Sequence, residues 1–287
     1  MRVAHAPGEL ERKPRSVAIG TFDGVHLGHR SVLRTALESG LLPTAVTFHP
    51  HPREVLGYQV ALLATLERRL ELLGEAGIEE VLVVEFTPEV ASLEPEQFAR
   101  SYLAAIGTEL VVAGESFRFG HGRAGDLATL GELGFRTAVA PHVGGVSSTR
   151  IRQLAAEGDV RGVAPLLGRP LEVEGTVVSG DARGGTLGFP TANLRADPAL
   201  LVPRFGIYAG STLDHRAAIS IGVNPHYGGA ERRIEAFLLD FEGDLYGERL
   251  VVELWDRLRD EAVFADEQAL VGQIARDVEQ ARSATRP

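Results

Sequence analysis

The stretch that most limits what this chain can become is Gly20-Thr21-Phe22-Asp23-Gly24-Val25-His26-Leu27-Gly28-His29. It follows an apolar run, Val17-Ala18-Ile19, that predicts a buried strand. It leads into residues 30–37, where Leu33, Ala36 and Leu37 fall at helical spacing. A strand, a glycine-rich turn and a helix start, in that order, make a seat for phosphate. Glycines let the backbone come close, and the first free N–H groups of the helix point at the anion. Two histidines at the exit of the turn add donors that carry charge near neutral pH.

A Walker-type site is excluded, because Lys13 is the only lysine and no Gly-x-x-x-x-Gly-Lys-Ser/Thr occurs. Gly20, Gly24 and Gly28 are also spaced wrongly for a dinucleotide-binding Gly-x-Gly-x-x-Gly turn. His-x-Gly-His suits another task. Its imidazoles can donate to the non-bridging oxygens of an α-phosphate while pyrophosphate leaves, which is catalysis by positioning and electrostatics. Alternatively, His26 and His29 with His49 and His51 form a zinc or iron site.

Continuous apolar runs recur at Thr44–Phe48, Val81–Val84, Leu110–Ala113 and Thr137–Ala140. Amphipathic segments separate them: residues 65–77 carry Leu66, Leu70 and Leu73 on one face, and a helix opened by Pro95 buries Phe98, Tyr102 and Ile106. Unbroken apolar strands alternating with helices predict a doubly wound parallel sheet covered on both faces. Ligands of such sheets lie beyond the carboxyl ends of the strands, where His26, His49 and Gly114 fall. The glycine-rich segment 114–123 reads as a surface loop. Ser147-Ser148-Thr149-Arg150-Ile151-Arg152 opens a further helix running to Gly158. Its hydroxyls suit capping, but two arginines in a first turn oppose the helix dipole unless an anion sits between them.

Leu167-Gly168-Arg169-Pro170 breaks the helical pattern and divides the chain into domains 1–167 and 171–287. Short alternating segments follow, at 171–178, 206–212, 217–223, 233–241 and 250–255, separated by turn residues. They predict a small antiparallel barrel. A closing helix starts after Asp266 as N-cap, with Leu270, Ile274 and Val278 on its buried face. In Gly188-Phe189-Pro190-Thr191-Ala192-Asn193, proline imposes an extended path, so Thr191 and Asn193 share a face and offer hard oxygen donors to a magnesium ion. In 233–241, Glu235 shares a face with Phe237, Leu239 and Phe241, which would strip its hydration and raise its pKa toward that of a general base. The bland alternative is a rim glutamate paired with Arg233.

The 287 residues, 44% hydrophobic and 24% charged, suit two soluble globular domains. A formal charge of −10 argues against nucleic acid, and no apolar run is long enough for a membrane span. The absence of cysteine removes disulfides and thiolate chemistry. A cytoplasmic location is expected, as a monomer or weak homo-oligomer.

Gly-Thr-Phe-Asp-Gly-Val-His-Leu-Gly-His resembles the signature of the nucleotidyltransferase half of prokaryotic bifunctional riboflavin kinase/FMN adenylyltransferases, and Gly-Phe-Pro-Thr-Ala-Asn resembles that of their kinase module. The resemblance implies riboflavin, FMN and ATP as substrates and Mg2+ as the ATP-borne cofactor. It assigns catalysis to His26, His29 and Glu235. It assigns nucleotide binding in the first half to Gly20, Phe22, Asp23, Gly24, His49, His51, Gly114, Ser116 and Arg118, and to Ser147, Ser148, Thr149, Arg150 and Arg152. In the second half it assigns nucleotide to Gly184, Gly188, Thr191 and Asn193, the last two also holding the metal, and flavin to Phe189, Pro190 and Arg259. The chain departs from the family pattern at Ser116 (usually Asp or Asn), Gly185 (Arg), His226 (Thr) and Phe237 (His). Three rivals stay open: an adenylyltransferase whose barrel binds flavin without efficient phosphoryl transfer, a non-catalytic flavin or nucleotide sensor, and a histidine metalloenzyme.

Overall fold

The computed structural model describes residues 1–179, 188–223 and 232–287. The chain forms two compact units, Met1–Ser147 and Ser148–Pro287. In the first, six parallel strands are ordered β1-β4-β3-β2-β5-β6. They are β1 (Arg2–Ala4), β2 (Arg15–Ile19), β3 (Leu42–His49), β4 (Glu80–Glu85), β5 (Thr108–Ala113) and β6 (Arg136–Val139). The apolar runs work as anticipated for a two-sided sheet. Val17, Ile19, Leu82, Val84 and Val111 point into one core, and Ala18, Val81, Val83, Leu110 and Val112 into another on the opposite face. Residues 1–15 give no sequence signal, yet β1 adds to the sheet beside β4.

The order also locates the crevice. From β2 the chain moves to β3 and β4 on one side, and β5 and β6 lie on the other. The switch point is therefore between β2 and β5, at whose carboxyl ends stand Gly20 and Gly114. The segment opened by Pro95 is α-helical only to Phe98, and continues as a wider π-helical stretch over Ala99–Ala104. Phe98, Leu103 and Ile106 are buried and Tyr102 is half-buried.

The second unit begins with helices Ser148–Glu157 and Val160–Leu167, the latter ending at a left-handed Gly168. It continues as a closed antiparallel barrel in the order β10-β11-β8-β7-β12-β9. Its strands are β7 (Leu171–Val178), β8 (Ala192–Arg195), β9 (Gly206–Thr212), β10 (His215–Val223), β11 (Arg232–Leu238) and β12 (Arg249–Arg259). The Val160–Leu167 helix packs on β12 and β7, so the compact unit starts ahead of the Leu167–Pro170 break. Asp266 caps the closing helix Glu267–Ser283 by accepting from the Ala269 N–H. That helix buries differently from its pattern. Leu270, Ile274 and Val278 are only half-buried, whereas Asp277 and Ala281 are the buried residues. Among the described residues no helix is long and apolar enough to cross a membrane.

Candidate functional site

The glycine-rich turn is a contorted piece of backbone with a specific purpose at each position. Phe22, Gly24 and Val25 all take positive φ. At Gly24, φ is +77° and an added Cβ would lie 2.7 Å from Leu63 Cβ, so only glycine fits. Asp23 is buried and its Oδ1 accepts the Leu63 N–H at 2.8 Å, tying the turn to the lead-in of the helix Leu66–Glu75. The Thr21 carbonyl accepts from Thr47 Oγ1 at 3.1 Å and from the Arg69 guanidinium at 2.7 Å.

His26 is the N-cap of the helix Leu27–Leu37, and its Nδ1 accepts the His29 N–H at 3.2 Å. The two rings stack with centroids 3.6 Å apart and planes 12° from parallel. Gly28 makes room for this: a Cβ there would meet the His26 ring at 3.1 Å. Phe22 closes edge-on over His29 at 5.4 Å. Burial, followed by the charges of His26 and Arg69, holds the His29 imidazole well below the usual histidine range. Its Nδ1 is buried and without a hydrogen-bond partner among the described residues. Paired rings at a helix N-terminus, at the crevice of a parallel sheet, can meet a phosphate with hydrogen-bond donors rather than with a nucleophile.

His49 closes β3 beside β2. His51 is buried and serves as an N-cap, its Nδ1 accepting from the Arg53 N–H at 3.2 Å. Among the described residues no group of three or more His, Cys, Asp or Glu side chains is arranged to hold a metal ion, so the histidine metal centre has no such cluster to rest on. Gly114 follows β5; Ser116 and Arg118 are exposed beyond it, while Phe117 stacks on the buried Phe119. Ser147 precedes, and Ser148, Thr149, Arg150 and Arg152 occupy, the opening of the helix Ser148–Glu157. Arg150 and Thr149 are exposed there, and Arg150 donates to Gln153 Oε1 at 3.0 Å.

In the barrel, two candidates of the second set share one face. Asn193 of β8 lies directly opposite Glu235 of β11 in the antiparallel register, so their side chains share a face. Asn193 Nδ2 donates to the Thr191 carbonyl at 3.3 Å, leaving its Oδ1 as an acceptor. Phe189 meets Phe237 edge-on at 5.4 Å, so the residue that departs from the family pattern packs against the Gly-Phe-Pro-Thr segment. Gly188 takes a positive φ of +86° and Pro190 is exposed. Gly184, Gly185 and His226 lie outside the described residues.

Glu235 differs from its pattern. β11 ends at Leu238 and Asp240 turns the chain at φ +57°, so Leu239 and Phe241 do not continue the Glu235 face. Ile234, Ala236 and Leu238 fill the barrel core instead, and Arg233 donates to Glu235 Oε2 at 2.7 Å. A cation stands where the alternation predicted apolar neighbours.

Arg259 ends β12, and β7 lies between β12 and β8, the strand that Phe189 and Pro190 lead into, so strand pairing does not bring it directly to them. Its guanidinium is gripped by Asp277 of the closing helix, Nε to Oδ1 at 2.9 Å and Nη2 to Oδ2 at 2.6 Å, and lies 5.8 Å from the Phe264 ring. Phe264 lines a cleft of about 430 Å³ with Asp266, Gln268, Ala269, Gly272 and Arg276. Arg69 and Asp277 are buried charged residues that the motifs did not single out. Each sits on the buried stripe of an amphipathic helix, and the only trace in the sequence is a charge where the period calls for an apolar residue.

Residues 9–153 match the family model described as FAD synthetase, and residues 167–285 the one described as riboflavin kinase. The bifunctional riboflavin kinase/FMN adenylyltransferase of Listeria monocytogenes is 35% identical over 288 residues, covering 93% of this chain and 91% of its own. The protein of the same description from Escherichia coli K12 is 36% identical over 300 residues, covering 96% of each. A crystal structure from Streptococcus pneumoniae, described as a macrolide-efflux protein, is 32% identical and covers 99% of both chains with a TM-score of 0.88. Two family models in succession along one chain, and relatives above 30% identity over more than nine-tenths of it, make this chain a member of the bifunctional riboflavin kinase/FMN adenylyltransferase family.

Proposed function

We propose that the two activities of the family are divided along the chain, each with its own seat for ATP. The chain phosphorylates riboflavin to FMN and adenylylates FMN to FAD, releasing pyrophosphate. Residues 1–167 are assigned to adenylyl transfer and 171–287 to the kinase. In adenylyl transfer, His26 and His29 donate to the non-bridging oxygens of the α-phosphate as charge builds there, so no covalent intermediate is needed. Gly20, Gly24 and Gly114 let the backbone approach the nucleotide. Ser148, Arg150 and Arg152 are assigned to the leaving pyrophosphate on the strength of their motif.

In the kinase, Glu235 orients the ribityl 5′-hydroxyl and takes its proton. Thr191 and Asn193 are assigned to the metal that accompanies ATP. A divalent ion serves both activities, and we take it to be Mg2+. The donors present suit it: Thr191 and the Asn193 Oδ1 are hard oxygen ligands, with the Glu235 carboxylate opposite. Bound there, the metal would offset charge between the β- and γ-phosphates. Phe189, Pro190 and Arg259 are assigned to the flavin, Arg259 beside the Phe264 cleft.

The observation that carries the kinase over a barrel that merely binds flavin is the register pairing of Asn193 with Glu235. A binding module has no use for a carboxylate set against a metal seat. Incubation with riboflavin and Mg-ATP, followed by chromatography, tests it. FMN and then FAD are expected, whereas FAD from added FMN with none from riboflavin selects the adenylyltransferase-only alternative.

A further inference from the structure

Beneath the glycine-rich turn lies a cation that no motif contributes. Arg69, on the helix Leu66–Glu75, is 5% exposed and shares the buried side of that helix with Leu72 and Leu73. One guanidinium nitrogen donates to the Thr21 carbonyl at 2.7 Å, and Nε is buried with no hydrogen-bond partner among the described residues. Water would satisfy every N–H of an exposed arginine, so this placement is costly. Burial lowers the arginine's own affinity for its proton, and the nearby carboxylates of Asp23 and Glu54 offset this only in part. A leucine would fill the same stripe without that cost. What the cation supplies locally is twofold: an anchor for the Thr21 peptide, and a fixed positive charge within electrostatic reach of His29.

We propose that Arg69 is a positioning residue for adenylyl transfer, holding the turn through Thr21 and setting a permanent positive field behind the paired imidazoles where α-phosphate charge develops. This rests on the reading that His26 and His29 face the α-phosphate. A cation that contacts the turn and is kept from solvent contributes the same field in every step of the reaction, at no reorganisation cost. Thr47 Oγ1 holds the same Thr21 carbonyl from β3, so the hydrogen bond alone has a second supplier and the charge does not.

The test uses the full-length enzyme with two variants, R69Q and R69K. Glutamine keeps a donor for Thr21 but no charge, and removes a buried cation, so the first unit is expected to fold. Expected for R69Q is a fall of about 10²-fold in kcat for FAD formation from FMN. KM for FMN should stay within a few-fold, and FMN formation from riboflavin in the same chain should be unchanged. R69K is expected to recover most of the rate. The His29 Cε1 proton, followed by NMR, is expected to titrate at higher pH in R69Q than in the parent and R69K. Loosening of the turn would also raise it by admitting water to His29, so the parent-like titration of R69K, which keeps the charge while changing the shape, separates the field from a structural role. FAD formation within about threefold of the parent in R69Q, or an unmoved His29 titration, would overturn the proposal, as would R69K falling as far as R69Q. Failure of the underlying reading looks different: H29A would then keep its FAD formation whatever Arg69 does.

Discussion

Asn193 and Glu235, far apart in the chain, face each other across adjacent antiparallel strands of the barrel, with the Asn193 amide nitrogen tied back to the Thr191 carbonyl. A carboxylate and a pair of neutral oxygen donors thereby share one surface. The roles proposed for them are the two a phosphoryl-transfer site requires: a group to orient the nucleophile and a place for the ATP-borne metal.

Glu235→Gln keeps the shape and the cross-strand neighbour but cannot take a proton. FMN formation is expected to fall by about 10²–10⁴-fold, while added FMN is still converted to FAD. Kinase turnover at the parent rate would remove Glu235 from the base role.

His29→Ala leaves the fold of the barrel unit untouched and removes one of the stacked imidazoles. FAD formation is expected to be lost and FMN to accumulate from riboflavin. Simultaneous loss of both products, measured by chromatography, would argue against separate sites.

Gly28→Ala should move stability and activity in opposite directions. Alanine favours the helix by up to about 1 kcal/mol over glycine, and Gly28 does not take a positive φ. The new Cβ would sit 3.1–3.2 Å from the His26 ring and push it off His29. Thermal denaturation is expected to show an unchanged or raised midpoint, with slower FAD formation.

Asp277→Asn weakens the fork that holds Arg259. Asp277 is buried, and leaving a guanidinium with half its partner is expected to cost about 2–3 kcal/mol. KM for riboflavin should rise by roughly tenfold while FAD formation from added FMN stays at its parent rate. If KM is unchanged, Arg259 has no part in flavin binding.

The depressed His29 gives the first unit a pH dependence of definite sign. Its folded-state pKa lies below that of the unfolded chain, so the unfolded form binds a proton first as pH falls through about 6.5. The stability due to this group is complete above that pH and is lost as acid drives protonation of the folded form. The denaturation midpoint is expected to fall between pH 7.5 and 5 more steeply in the parent than in His29→Asn. Equal slopes would place the acid sensitivity elsewhere.

The sequence by itself determined what is local or periodic. The unbroken runs at Val17–Ile19 and Val81–Val84 dictate a sheet buried on both faces, because each residue of such a strand needs apolar company whichever way it points. Asp266 announces its helix, and Gly168 ends another, through backbone chemistry confined to a few neighbours. Only the tertiary structure decided the rest. The 233–241 alternation allowed either apolar company for Glu235 or a pair with Arg233, and could not reveal that the strand stops at Leu238, which depends on where the chain turns in space. Arg69 and Asp277 read as flaws in helical stripes until Thr21 and Arg259 arrive from distant segments to meet them. A buried charge is explained by its partner, and the partner is chosen by the fold rather than by proximity along the chain.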